Sequence, residues 1–165
     1  MTTASATEPY LLSADQGEAL WFLGSLATVK AGAAQTRGAL TVVEFLNPPG
    51  FAPPLHRHLA EDELFYVLSG VAEFRCEDRS FTAGTGDFVL LPVGRPHTFL
   101  VGPDEPLRTL QITSPAGFEG FATDVGAPAA ELRLPEPGPV DPASLGGAAA
   151  RHRVEILGPP PARGE

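Results

Sequence analysis

Gly50-Phe51-Ala52-Pro53-Pro54-Leu55-His56-Arg57-His58-Leu59-Ala60-Glu61-Asp62-Glu63-Leu64-Phe65-Tyr66-Val67-Leu68-Ser69-Gly70 is the stretch on which the fold turns. Its two histidines stand two residues apart. On a strand they share a face with Cα atoms about 6–7 Å apart, a gap that two imidazoles bridge by leaning onto one metal ion. A strand-like run follows from Glu63 to Leu68. Its period of two puts Glu63, Phe65 and Val67 on one face and Leu64, Tyr66 and Leu68 on the other. With Glu63 inward, the space beside it is apolar. Three consecutive acids compete for a ligand's place, since Glu61 shares parity with Glu63 and Asp62 offers a shorter spacing.

A third histidine, His97, follows Pro92-Val93-Gly94-Arg95-Pro96. That turn holds enough proline and glycine to fix where the chain re-enters the sheet, which is how a further ligand is aimed. Three neutral imidazoles, His56, His58 and His97, with the Glu63 carboxylate make a mixed nitrogen and oxygen donor set. Such a set suits one divalent transition metal: iron, nickel, manganese, copper or zinc. Cys76 reads as core, and His152, between Arg151 and Arg153, as a solvated helix residue. Arg57 and Arg95 flank the ligands and are candidates for holding a substrate anion, although strand alternation turns Arg57 away. Phe45, Phe65 and Phe99 are candidates to line a substrate pocket, with plain core as the alternative.

Outward from this centre, short β-like runs recur over 18–115, broken by Asn47-Pro48-Pro49-Gly50, Ser69-Gly70, Gly84-Thr85-Gly86 and Pro92-Val93-Gly94. Glycine and proline number 18 each in 165 residues, which excludes a bundle of long helices and predicts an all-β sandwich or barrel. Residues 1–17 read as a loose N-terminal arm with at most one short strand near Tyr10 to Leu12. Residues 116–165 read as a C-terminal helical extension, with a helix over Ala143 to Val154, and a flexible tail from Gly158 onward. Phe118 and Phe121, three apart, are expected to dock a helix on the sheet.

Eleven basic against twenty acidic residues give a net charge of −9, so nucleic acid and anionic membrane surfaces are not expected as partners. One cysteine excludes an intramolecular disulfide, and no basic, apolar leader opens the chain, so a cytoplasmic location is expected. The outward row Leu64, Tyr66 and Leu68 would leave apolar surface in water on a lone barrel, which predicts a homodimer.

Gly50, His56, His58, Glu63 and Gly70 resemble the first cupin motif at every fixed position. Gly86, Pro92, Gly94 and His97 resemble the second, which commonly ends in Asn where Val101 stands here. The resemblance covers roughly the middle two-thirds of the chain and implies a cupin jelly-roll barrel holding its metal inside. The segments Trp21 to Ala27, and Gly117 to Phe121 through Pro128, are similar to the single-domain quercetin 2,3-dioxygenases. That likeness implies a flavonol or related small aromatic substrate, dioxygen as co-substrate, and Glu63 acting both as metal ligand and as the base that takes the substrate's hydroxyl proton. Polyketide cyclases or isomerases of similar size, and cupins that bind small molecules without turnover, are the alternative readings.

Overall fold

The computed structural model describes residues 8–162. The expectations for 1–7 and 163–165 lie outside the described residues. Twelve strands and three helices follow in order: β1 (Glu18–Phe22), β2 (Ser25–Ala31), α1 (Ala33–Thr36), β3 (Thr41–Asn47), β4 (Leu55–His58), β5 (Asp62–Ser69), β6 (Ala72–Cys76), β7 (Arg79–Ala83), β8 (Phe88–Leu91), β9 (His97–Val101), β10 (Leu107–Ser114), α2 (Phe118–Val125), β11 (Ala127–Pro128), α3 (Pro142–Arg151) and β12 (Val154–Gly158). They form two sheets in the orders β11-β1-β2-β3-β10-β5-β8 and β12-β4-β9-β6-β7, with every pairing antiparallel. This is the all-β jelly roll that the sequence predicts.

Alternation builds the interior. On β3, Thr41, Val43, Phe45 and Asn47 are buried while Val42, Glu44 and Leu46 face out. On β5, Glu63, Phe65 and Val67 are buried, and Tyr66 on the opposite face is exposed. The hairpin between β5 and β6 turns on Gly70, whose φ is +83°. A Cβ there would also stand 2.6 Å from the Pro106 carbonyl oxygen, so both the backbone conformation and the space require glycine.

The buried residues form two clusters. One joins Leu20, Phe22, Val43 and Phe45 of the larger sheet to Phe118 and Phe121 of α2, Leu145 of α3 and Val154 of β12. The other joins Phe65, Val67, Phe74, Val89, Phe99 and Leu107 at the other end of the barrel. Phe118 and Phe121 therefore do dock a helix, as their spacing predicts.

Two readings need correction. The segment after 116 is not helical throughout: α3 ends at Arg151, and Val154–Gly158 forms β12 along β4. Its register pairs Val154 with His58 and Ile156 with His56, so the last strand lies against the histidine strand. A helix through Val154 would have given up the cross-strand bonds this apolar run makes. The arm forms no strand at Tyr10 to Leu12, within the at most one short strand expected there, and Tyr10 donates from Oη to the Lys30 carbonyl at 2.8 Å. His152 caps α3 and is not simply solvated, since its ring packs on Phe121 at 5.8 Å and its Nε2 is 2.7 Å from Asp124. No helix among the described residues is long and apolar enough to cross a membrane.

Candidate metal centre

His56 and His58 lie two apart on β4, His97 opens β9, and the only register pair between those strands sets His56 opposite His97. All three belong to the smaller sheet. Glu63 comes from β5 of the larger sheet and reaches across the barrel, so the donor set spans both layers. One donor atom from each of the four lies within 4.8 Å of the others.

Each imidazole is oriented by its Nδ1. His56 Nδ1 is 2.7 Å from the Pro54 carbonyl, His58 Nδ1 is 2.8 Å from Glu61 Oε1, and His97 Nδ1 is 2.9 Å from the Arg95 carbonyl. All three partners only accept, so each Nδ1 carries the proton and each Nε2 presents a lone pair to the common point. Nε2 of His58 and of His97 is buried without a hydrogen-bond partner. Nε2 of His97 lies 2.9 Å from Glu63 Oε2 but not in a hydrogen bond's alignment. Buried polar atoms are otherwise rarely left unpaired, and two lone pairs and a carboxylate aimed at one point fit a divalent cation.

The three acids that compete in the sequence have separate tasks. Glu61, 7% exposed, accepts from His58 Nδ1 and fixes that ring. Asp62 accepts from the Val93 amide at 2.8 Å and so ties the start of β5 to the turn that precedes His97. Of the three, Glu63 is the one whose carboxylate faces the Nε2 atoms of His58 and His97. Gly94 completes the tie between the two motifs by donating its amide to the His58 carbonyl at 2.8 Å. A further residue is absent from the sequence reading: Gln111 of β10, whose Nε2 donates to Glu63 Oε1 and leaves Oε2 facing the imidazoles. No local pattern points to it, because it meets Glu63 only through the β5–β10 pairing.

Charge within the cluster is strongly coupled. Burial would raise the Glu63 carboxyl, but His58, His97 and His56 outweigh it and hold it at about 2. Burial and the nearby His97 push His56 down to about 4. For His58, burial acts downward, yet Glu63 and the bond to Glu61 prevail and raise it.

A cavity of about 80 Å³ adjoins this cluster, with His56, His58, Glu63 and Gln111 on its wall. Phe45, Phe65 and Phe99 line it too. Arg57 and Arg95 do not: Arg57 binds Glu155 at 2.6 Å on the outer side of the β4–β12 pair, and Arg95 binds Glu77 at 2.5 Å.

A two-layer jelly roll with a three-histidine, one-carboxylate cluster inside defines the class. The cupin domain family model matches residues 43–113 of this chain. The chain is 33% identical over 91 residues to the quercetin 2,3-dioxygenase of Bacillus subtilis. That match takes in 55% of this chain and 27% of the relative, so the chain spans only about a quarter of that protein's length. Among solved structures, a Streptomyces PAC13 variant with uridine superposes at a TM-score of 0.55 and 20% identity, covering 66% of this chain and 84% of that one. KdgF from a Halomonas species superposes at 0.50 and 21% identity, covering 56% and 79%. Both show the fold.

The titrations predict how stability of the metal-free protein depends on pH. Between about 6.5 and 4 the unfolded chain protonates His56 while the folded one does not, so stability falls as pH drops through that window. Below about 4.5 Glu63 adds a further loss of the same sign. His58, raised, acts on the other side: its contribution is complete below 6.5 and is lost as pH rises through its folded value. Urea unfolding of chelator-treated protein should show an optimum near pH 6.5, and His56→Gln should flatten its acid limb. An acid limb unchanged in that variant would contradict the assignment.

Proposed function

We propose that the chain is a metal-dependent enzyme that binds a small hydroxylated aromatic compound as its oxyanion and reacts it with dioxygen, in the manner its quercetinase likeness suggests. The observation that carries this is the convergence of His56, His58, Glu63 and His97 on the wall of an otherwise apolar, phenylalanine-lined cavity. A bound divalent cation supplies one thing, a positive charge that lowers the pKa of an adjacent hydroxyl and holds the resulting oxyanion. Glu63 is the proton acceptor. Beside a cation its carboxylate is ionised at neutral pH, and as a weak base it takes a proton only from a hydroxyl already acidified. Gln111 keeps Oε1 occupied, so the proton goes to the oxygen facing the histidines. The phenylalanine walls receive the rings and keep water from the anion.

Glu63→Gln retains size and an oxygen donor but removes the basic carboxylate. Turnover should fall by about 10²–10⁴, the range for losing a general base, while metal content falls much less. An oxygen electrode with flavonols and smaller hydroxylated aromatics as substrates reads this directly. One dioxygen should be consumed per substrate, with carbon monoxide released from a flavonol. Conversion at the same rate under nitrogen would overturn the dioxygenase reading in favour of a cyclase or isomerase, and spectral shifts without consumption would favour a binding protein.

We also propose that two copies pair through the outward face of β5 and β8. Tyr66 is 44% exposed, Phe88 60% and Leu90 50%, and the register sets Tyr66 beside Phe88 and Leu64 beside Leu90. On the same face, Leu110 and Ile112 of β10 extend the apolar surface, and the Arg108–Glu44 ion pair borders it. One charge of each sign on that border lets the face complement its own copy about a two-fold axis, the arrangement a stable homodimer of about 800 Å² per partner uses. Sedimentation should give twice the 17.3 kDa chain mass, and Tyr66→Asp should dissociate it. A wild-type monomer at micromolar concentration would refute the pairing.

A further inference from the structure

The walls of the cavity set a limit on its occupant that the donor set does not. Beside His58, with ring centroids 6.2 Å apart, stands Phe118 of α2. Phe118 is one of four phenylalanines locked edge to face: Phe22–Phe45 at 6.0 Å, Phe22–Phe118 at 5.9 Å, Phe22–Phe121 at 5.5 Å, Phe45–Phe118 at 6.2 Å and Phe118–Phe121 at 5.8 Å. Rings packed this way hold one another in place. Across the cavity, Phe65 and Phe51 pack on Phe99 at 5.7 and 5.9 Å. Leu145 of α3 and Val154 and Ile156 of β12 line the remaining side, the last two as cross-strand neighbours of the histidine ligands.

Phe22, Phe118, Phe121, Leu145, Val154 and Ile156 all lie outside residues 43–113, the part that matches the cupin domain family. The candidate metal centre thus belongs to the matched part, and seven of the eighteen residues that line the cavity, these six and Leu23, come from segments before and after it. Those segments leave about 80 Å³. An apolar cavity of about 150 Å³ is what one benzene ring fills. The enclosed part of the site is therefore smaller than one ring needs, so an occupant sits partly in its opening, and each ring beyond the first lies farther out, against the half-buried Leu23, Pro53, Pro54 and Ile156.

We propose that the flanking segments make this site selective for a single-ring hydroxylated aromatic or enol over the three-ring flavonols. The inference rests on the proposed function, because it takes the substrate's oxygen head to sit at the metal centre. Phe118 and Leu145 act as specificity determinants: they touch the ring, and no part of the chemistry runs through them.

A series of ligands with one shared head tests it. 3-Hydroxypyran-4-one, 3-hydroxychromone and 3-hydroxyflavone carry the same hydroxy-keto group on one, two and three rings. Each is titrated calorimetrically into zinc-loaded protein under nitrogen, so that affinity is read without turnover, with zinc content checked after each titration. In an open apolar pocket each added ring strengthens binding. Here 3-hydroxypyran-4-one should bind about tenfold or more tightly than 3-hydroxyflavone, within the range one group too many costs in a fitted pocket. Leu145→Ala should cut that preference by about tenfold, and Phe118→Leu should act in the same direction. If Leu145→Ala fails to fold by near-ultraviolet circular dichroism, Ile156→Ala replaces it. Equal or tighter binding of 3-hydroxyflavone by the wild type would overturn the size limit while leaving the oxyanion reading intact. A preference that persists unchanged in the variants would overturn the role of the flanking segments. Binding of none of the three by protein that retains its zinc would overturn the proposed function and this inference with it.

Discussion

Three hydrogen bonds from imidazole Nδ1 atoms govern the centre of this protein. Pro54 and Arg95 offer backbone carbonyls and Glu61 a carboxylate, and each fixes one ring so that its Nε2 points to a shared position. The energetics of the barrel follow from that choice. Two of those nitrogens are buried without partners, and a carboxylate from the opposite sheet is buried beside them. Unpaired buried polar groups destabilise a fold, so the apolar clusters on either side must supply the stability that the centre withholds. A cation at that point would satisfy the orphaned nitrogens and join the two sheets through one set of bonds.

The division of labour between the barrel and its additions follows the chain. The two turn-bounded motifs bring the ligands together, and they are tied to each other by Gly94 to the His58 carbonyl and by Asp62 to the Val93 amide. The segments before residue 43 and after 113 supply no ligand. They contribute the aromatic box around Phe118 and the strand that lies along β4. The candidate ligands are therefore encoded in one part of the sequence, whereas the cavity wall is shared between that part and the segments on either side.

How much of this can be read from the sequence depends on whether a feature is local. The parity of His56 and His58, the inward set of Glu63, Phe65 and Val67, and the aiming turn before His97 are all local, and the structure agrees with each. Gln111 sits 48 residues from Glu63 and meets it through a strand register that no local pattern specifies. The tasks of Glu61 and Asp62 depend on which way a tight turn sends three adjacent acids, and their partners, His58 and the Val93 amide, are fixed only in the folded chain. β12 is hidden for another reason. Its apolar run is short and lies between a glycine-containing helix and a proline-rich end, so composition favours helix and tail, whereas an open edge of β4 favours a strand. The volume of the cavity is a difference between large packed surfaces and has no signature in sequence at all.

Three imidazole nitrogens and one carboxylate oxygen form a donor set suited to a single metal ion. The X-ray absorption spectrum of zinc-loaded protein tests it most directly, because imidazole rings leave their own outer-shell scattering. One zinc per chain with four light-atom donors at about 2.0–2.2 Å, three of them imidazoles, is the expected result. A sulfur donor near 2.3 Å, or fewer than two imidazoles at the metal, would contradict the account.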